Sequence, residues 1–439
     1  MLSDTSKGIN DSFKYLLASR TMRSVAISFT TSALPLYLLY VLGQSLVEVG
    51  ATYFLIIIFT AFTYFLFGML GDRVGYKNTM IIAEILPLAG LTGLAISTFF
   101  TSNPSFMLLI VLISAILAGI NTVGGMRGGF SAGQQAFIAN NWRKEDERVQ
   151  KLAKVFTVAA VGSIVGSLLL AFQGIITVML RPYVAAELQA FVITFRYMFV
   201  VAAALLLFSM TSLFFLKEAP KKEKKKTLLI KRESSPQVFR VVASQIVTGF
   251  GLGLAIPILP AMIAKAYALD ATVASQFIGY MFGVSYILIA ITSFYMSKGV
   301  YKRNMNTVKL AGVVRAAQGI LIILIALVIS AGTHFPYGTY FGLLVIGIFY
   351  SGYALFVGVG APLRSAINMG GINSQDYGTA SAIIGVAGEL PQASVGIAGL
   401  LSEAFPQFLG FPMLVGGALV SVGGAVYSRL LKKKGNGFG

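Results

Sequence analysis

Glu389 stands in the run Gly385-Val-Ala-Gly388-Glu389-Leu-Pro391, about eleven residues inside an apolar stretch at 378–403. A carboxyl group at that depth is costly to keep charged, so it is placed to take up and release a proton as its surroundings change. Pro391, two residues later, removes a backbone donor and bends the chain. The plainer reading is a structural acid held by a neighbouring basic or polar side chain. Arg127, in Gly-Gly-Met-Arg-Gly-Gly late in the stretch 105–128, is the matching cation. It is placed to attract an anionic group on a solute, or Glu389 itself, unless it only snorkels to the mouth of its span. Glu389 and Arg127 are therefore the candidate coupling residues. A third constellation is Gly68-Met-Leu70-Gly71-Asp72-Arg73-Val-Gly75-Tyr76-Lys77. Its glycines permit a tight turn and its charges exclude it from lipid, so it joins two membrane helices at a surface.

The elements that must hold these side chains are membrane helices. Of the 439 residues, 56% are apolar and 11% charged, and the mean hydropathy is +0.80. Apolar runs of about 20 residues, bounded by charged or turn residues, place twelve spans. They lie near 22–43, 47–70, 78–100, 105–128, 153–180, 191–216, 238–264, 273–297, 307–331, 339–363, 378–403 and 407–430. Runs of this length rich in Leu, Ile, Phe and Ala exclude the short alternating strands of an outer-membrane barrel, so the fold is all-α. Gly162-x-x-x-Gly166, Gly279-x-x-x-Gly283 and Gly249-x-Gly251-x-Gly253 are spacings for close helix packing in lipid.

The net charge of +18 raises the question of a nucleic-acid partner, and its distribution answers it. All but five of the 34 Lys and Arg fall on the side that carries the amino terminus, the exceptions being Arg127, Arg181, Arg196, Lys265 and Arg315. The positive-inside rule makes that side cytoplasmic, and an even number of spans puts both termini there, in the cytoplasmic membrane of the cell. No nucleic-acid partner is expected. The Lys-rich run 221–226 reads as a solvated linker, or as a contact with anionic lipid. The polar start and the lack of a small-residue cleavage site indicate a retained first helix. With no cysteine, thiol chemistry and disulfides are excluded, and the single His334 falls in an outward loop.

The largest break in hydropathy, 217–237, divides the helices into bundles at 1–216 and 238–439, joined by a charged tether. A shift of 225 residues pairs Pro35 with Pro260, Tyr76 with Tyr301, Lys77 with Lys302 and Met80 with Met305. At a shift of 229, Glu147 meets Asp376 and Ala153 meets Ala382. Two bundles of six spans share one orientation, the parallel repeat of a carrier whose halves rock about a central cleft.

The pattern Gly-x-Leu-x-Asp-Arg-x-Gly-x-Lys between the second and third of twelve spans resembles the loop signature of the major facilitator superfamily. Gly68, Leu70, Asp72, Arg73, Gly75 and Lys77 occupy pattern positions, and Tyr76 replaces the usual basic residue. The resemblance implies a twelve-helix fold in two pseudo-symmetric six-helix bundles, and a gate role for Asp72 and Arg73 on the cytoplasmic side. Physically, Asp72 is placed to accept hydrogen bonds from the start of span 11, around Asp376 to Thr379. Arg73 has Glu145, Asp146 and Glu147 as candidate partners. Arg127 resembles the family's buried span-4 arginine, although Phe130-Ser131 stands where Gln-Gly is usual. Gly162-Ser-Ile-Val-Gly166-Ser resembles part of the antiporter signature but lacks its Gly-Pro, which argues against drug antiport.

Expected cavity residues on spans 1, 4, 7 and 10 are Thr31, Tyr37, Asn121, Arg127, Gln245, Thr248, Tyr350 and Tyr353. Pro35 and Pro260 mark expected bends. Glu84 and Arg315 lie on spans 3 and 9, which the resemblance implies are peripheral, and read as structural; Arg364 reads as an interfacial anchor, and Arg196 as a partner for Glu187. No phosphate loop, nucleophile elbow or zinc motif occurs, so neither nucleotide-driven pumping nor enzyme chemistry is expected. The reading is a monomeric secondary transporter for a small organic solute, working by alternating access and coupled to protons, with membrane lipid as its other partner. No cofactor or metal is expected. The alternatives are an efflux antiporter for hydrophobic compounds and, in another class, a lipid scramblase or a non-transporting sensor.

Overall fold

A computed structural model describes residues 2–120, 129–142, 144–184, 187–219, 235–298, 307–335, 337–368, 372 and 376–431. All regular elements among them are helices. In the first bundle these are α1 (Leu2–Leu36), α2 (Leu46–Val74), α3 (Tyr76–Ser97), α4 (Pro104–Ala118), α5 (Gly129–Asn141), α6 (Glu145–Leu180) and α7 (Glu187–Leu213). The second holds α8 (Ser235–Ala255), α9 (Leu259–Ala266), α10 (Ala271–Ser297), α11 (Thr307–Ala331), α12 (Thr339–Asn368), α13 (Tyr377–Glu389), α14 (Val395–Ala404) and α15 (Phe411–Leu430). Eleven described helical stretches are long and apolar enough to cross a membrane, and Pro104–Ala118 is a shorter apolar helix. Lipid-facing rows such as Phe54, Leu55, Ile58, Phe62, Phe65 and Leu66 on α2 are exposed. That is the expected solution where backbone groups must be satisfied within the helix and apolar side chains face hydrocarbon.

Four expected spans differ from simple rods. The first begins twenty residues before its apolar run, because Ile9, Phe13 and Leu16 bury one stripe of the polar segment against Phe137, Trp142 and Leu216. After Pro35, it continues as a π-turn over Tyr37–Val41. The fourth ends as α4 at Gly119, which adopts a left-handed backbone with φ +62°, and the next described helix is α5. Span 7 breaks at 256–258 between α8 and α9, with Pro260 in the first turn of α9. Span 11 breaks into α13, a 3₁₀ segment over Leu390–Ser394, and α14, with Pro391 at the break.

Helix starts are specified locally. Ser45 and Glu48 form a reciprocal capping box on α2, and Asp270 accepts from the amides of Thr272 and Val273 at 2.8 and 2.9 Å on α10. Ser45 and Asp270 are 225 residues apart, so equivalent helices of the repeat carry equivalent caps. Glycine spacings serve packing: a Cβ on Gly162 or Gly166 would run into the backbone of α1, and one on Gly279 into α6.

Inside the first bundle, Arg23 pairs with Glu84, whose other oxygen accepts from Ser209 at 2.9 Å, and Ser209 touches Ser19. Arg20 and Arg23 both lie against the Phe130 ring. Glu84 thus has the structural place expected of it. Glu84→Ala would leave two buried guanidinium groups without their carboxylate, and a loss of about 3–5 kcal/mol of stability is expected, read as earlier thermal unfolding in detergent.

Candidate transport site

Between the bundles lies a cavity of about 240 Å³. Its walls come from α8, α10, α11, α12 and α13 of the second bundle, and from Tyr64, Gln135 and Phe156 of the first. Gln245, Gly249 and Leu252 of α8, with Ile256 just past its end, form one wall, spaced as one helical face. That face is glycine-bearing because the span-11 break presses on it: a Cβ on Gly249 would lie 2.7 Å from the Gly388 carbonyl. A Cβ on Gly253 would fall on Gln392 and Ser394. Glu389, the last residue of α13, is 4% exposed and lines the cavity at this break. The proline break and the paired glycines are what bring a carboxyl group to the wall.

Gln245, Tyr350, Tyr353 and Glu389 share the cavity, whereas Thr31, Tyr37 and Thr248 do not line it. The π-turn rotates Tyr37 into an aromatic cluster with Phe195 and Phe199, at centroid distances of 5.2 and 5.8 Å. Thr31 is buried on α1, its carbonyl 3.5 Å from the Tyr53 hydroxyl. Thr248 lies off the α8 stripe, donates to the Ser244 carbonyl at 3.1 Å and faces Gly423 of α15. Asn121 and Arg127 fall outside the described residues. Two arginines change place in the account. Arg315, read as peripheral, and Arg364, read as an anchor, both line the cavity. Arg196 bonds to Thr98 through Nε and Nη2, both at 2.9 Å, and stacks on Phe99.

On the side of the termini, the loop at 68–77 meets span 11. Asp72 accepts from the amides of Gly378 and Thr379 at 3.1 and 2.8 Å, from the Thr379 hydroxyl at 2.7 Å and from the Tyr76 hydroxyl at 2.7 Å. A carboxylate therefore caps the first turn of α13, where the helix dipole favours an anion. Gly68, one turn earlier on α2, faces Gly378 and Ala382 so closely that neither glycine has room for a Cβ. Gly71 packs against the Tyr76 ring, leaving Leu70 partly buried beside the apolar cluster of this side. Gly75, with φ +99°, makes the turn. Lys77 donates to the Phe214 carbonyl at 2.7 Å, and Glu218 receives the amides of Tyr76 and Lys77. Arg73 is exposed, and Glu147, one of its three expected partners, sits 4.0 Å from Lys144.

At the opposite end of the same two spans, the arrangement is mirrored. Glu403, at the end of α14, accepts from the amide of Leu46, the first residue of α2, at 2.9 Å, and lies 3.6 Å from Lys265. Each of the two spans thus ends in a carboxylate that caps the start of the other. Tyr40 to the Leu269 carbonyl at 2.6 Å and Arg181 to Thr272 at 3.1 Å add further ties between the bundles on this side. Two apolar clusters, each drawing on both bundles, flank the cavity. Contacts between the bundles are thus made on both sides of the cavity.

The sequence profile of the Major Facilitator Superfamily matches residues 16–396. The chain belongs to that superfamily. Solved structures of other superfamily proteins share its fold. It is similar to the E. coli fucose:proton symporter (14% identity, 96% of this chain and 98% of that one, TM-score 0.63). The proton:xylose symporter is comparable (14%, 96% and 95%, 0.65), as is a bacterial homologue of the iron transporter ferroportin (13%, 96% and 100%, 0.63). No curated protein matches it in sequence. In this superfamily member, Tyr64 and Glu403 are among the site residues that sequence reading misses, beside the two arginines. Tyr64 lies at i−4 and i−8 from Gly68 and Asp72, so the helical face that carries the loop contact already pointed to it. Glu403 carries no local signal, because its partner is 357 residues away.

Proposed function

We propose that this transporter-family protein moves a small organic solute across the cytoplasmic membrane by alternating access, coupled to protons through Glu389. The observation that carries the reading is a titratable carboxyl group on the wall of a cavity that both bundles share, between two sets of contacts at opposite ends of the same pair of spans. Releasing the Asp72 contacts would open the side of the termini, and releasing Glu403 from Leu46 the other. Each opening would change the surroundings of Glu389 and so its hold on a proton. The basic loops support a cytoplasmic location for the termini and for Asp72. Two of the similar structures are proton symporters by name, which supports coupling.

The test uses purified protein in liposomes and, among sugars, organic acids, amino acids and organic cations, the solute that most stabilises it. An imposed pH gradient is expected to drive accumulation above the external concentration, and a protonophore to abolish it. Uptake that only equilibrates and ignores the protonophore would refute coupling. Gradient-free movement of labelled lipid without solute transport would point instead to a scramblase.

A further inference from the structure

The charges around the cavity are one-sided. Arg315 on α11, Arg364 on α12 and Glu389 on α13 all line it, so the described lining carries two guanidinium groups and one carboxyl group. Among the described residues, the first bundle contributes only the neutral Tyr64, Gln135 and Phe156. Building on the transporter reading, we infer that the solute is a small organic anion whose acid group is held by Arg315 and Arg364. The planar fork of a guanidinium matches carboxylate and sulfonate oxygens two at a time, and a water-poor cavity strengthens that contact. Both arginines are constrained. Arg315 donates to Gln318 at 2.9 Å, and the Arg364 guanidinium lies over Gly360, where no Cβ fits beside it.

The rest of the cavity describes the body of the solute. Tyr350 packs between Phe282 and Tyr353, at centroid distances of 5.1 and 5.5 Å, and with Leu252 and Ile289 makes an apolar, aromatic wall. A cavity of about 240 Å³ is smaller than the roughly 300–1,000 Å³ typical of drug-sized sites, which fits a single ring or a short chain. Gln392, on the wall and 1% exposed, has a buried Oε1 with no hydrogen-bond partner among the described residues, an acceptor that a turn of the side chain would bring to a hydroxyl or N–H on the solute. A cation would meet like charge in the same space. Protonating Glu389 takes the lining from one net positive charge to two, so proton and anion favour each other's binding. Among the described residues, the other titratable groups on the walls are the phenols of Tyr64, Tyr286, Tyr350 and Tyr353.

Four probes of one shape decide the sign: benzoate, benzenesulfonate, benzamide and benzylammonium, titrated against the purified full-length protein by thermal shift. The two anions are expected to stabilise the protein, and the neutral and cationic rings to do so at least tenfold less effectively. Arg364→Gln and Gly360→Ala, which displaces the same guanidinium without removing it, should each weaken anion binding at least tenfold. Equal or better binding of benzamide or benzylammonium, no stabilisation by either anion at millimolar concentration, or unaltered anion binding in both variants would overturn the inference. Influx of labelled benzenesulfonate, which does not cross lipid unaided, separates the two readings. Binding without influx contradicts transport and leaves the anion site standing, whereas carriage of only neutral or cationic solutes contradicts the anion site and leaves transport standing.

Discussion

Glu389→Gln is expected to abolish accumulation driven by a pH gradient while leaving exchange of solute across the membrane intact. The substitution keeps the size of the side chain and one carbonyl acceptor, so the packing of the break at Leu390–Ser394 against Gly249 and Gly253 is preserved. What it removes is the group that can alternate between charged and neutral as the cavity changes sides. Exchange needs only that the bundles rock with solute aboard, and a permanently neutral residue permits that. Net accumulation needs the proton to travel with the solute, so its loss is an all-or-none effect and not a graded one. Gradient-driven accumulation by Glu389→Gln at the wild-type level would remove Glu389 from the coupling step.

Asp72→Asn and Glu403→Gln are expected to bias the carrier in opposite directions. Asp72 is 4% exposed and receives four hydrogen bonds, three of them from the first turn of α13. Hydrogen bonds to a charged acceptor contribute about 1.5–3 kcal/mol each, and an amide retains only part of that set. A shift of about 3 kcal/mol, on the order of a hundredfold, toward the state open on the side of the termini follows. Glu403 makes one such bond at a partly exposed site, so Glu403→Gln shifts the balance toward the opposite opening by about 1 kcal/mol, roughly fivefold. Both variants should fold, since, apart from the Tyr76 hydroxyl on Asp72, the bonds they weaken join the bundles and not the interior of either one. Slow transport in Asp72→Asn with an unchanged melting temperature is the expected pair of readouts.

What the chain discloses and what it hides divide along sequence separation. The helical architecture follows from hydropathy, and the contact of Asp72 with Thr379 from two elementary facts: a carboxylate at a helix end, and a helix start at the same depth on the same side. Depth also finds Glu389, Gln245, Tyr350 and Tyr353. Depth does not fix rotation. Tyr37 sits at cavity depth, but the π-turn at Tyr37–Val41 turns it into the aromatic core, and Thr248 is one helical step off the face that Gln245 and Gly249 share. Arg315 reads as structural from the peripheral place of span 9 and Arg364 as an anchor from its nearness to a loop, while the packing of α11 on α12 and α15, and of α12 on α10 and α11, sets the faces they occupy. Glu218 looks like part of a linker charge run, yet it receives the amides that start α3. The fourth span is legible only as an apolar run, because the left-handed backbone at Gly119 that ends α4 leaves no mark in hydropathy.

The central claim is that the two ends of α2 and span 11 act as opposed locks around one cavity. The chain has no cysteine, so spin labels can be attached to engineered pairs without removing native thiols. One pair, at Lys154 and Arg240, spans the bundles on the side of the termini; the other, at Tyr183 and Tyr340, spans them on the opposite side, and all four positions are exposed. Double electron–electron resonance in lipid should show the first distance lengthening in Asp72→Asn while the second stays short, and the reverse in Glu403→Gln. Distances that do not move, or that lengthen together on both sides in either variant, would contradict the account.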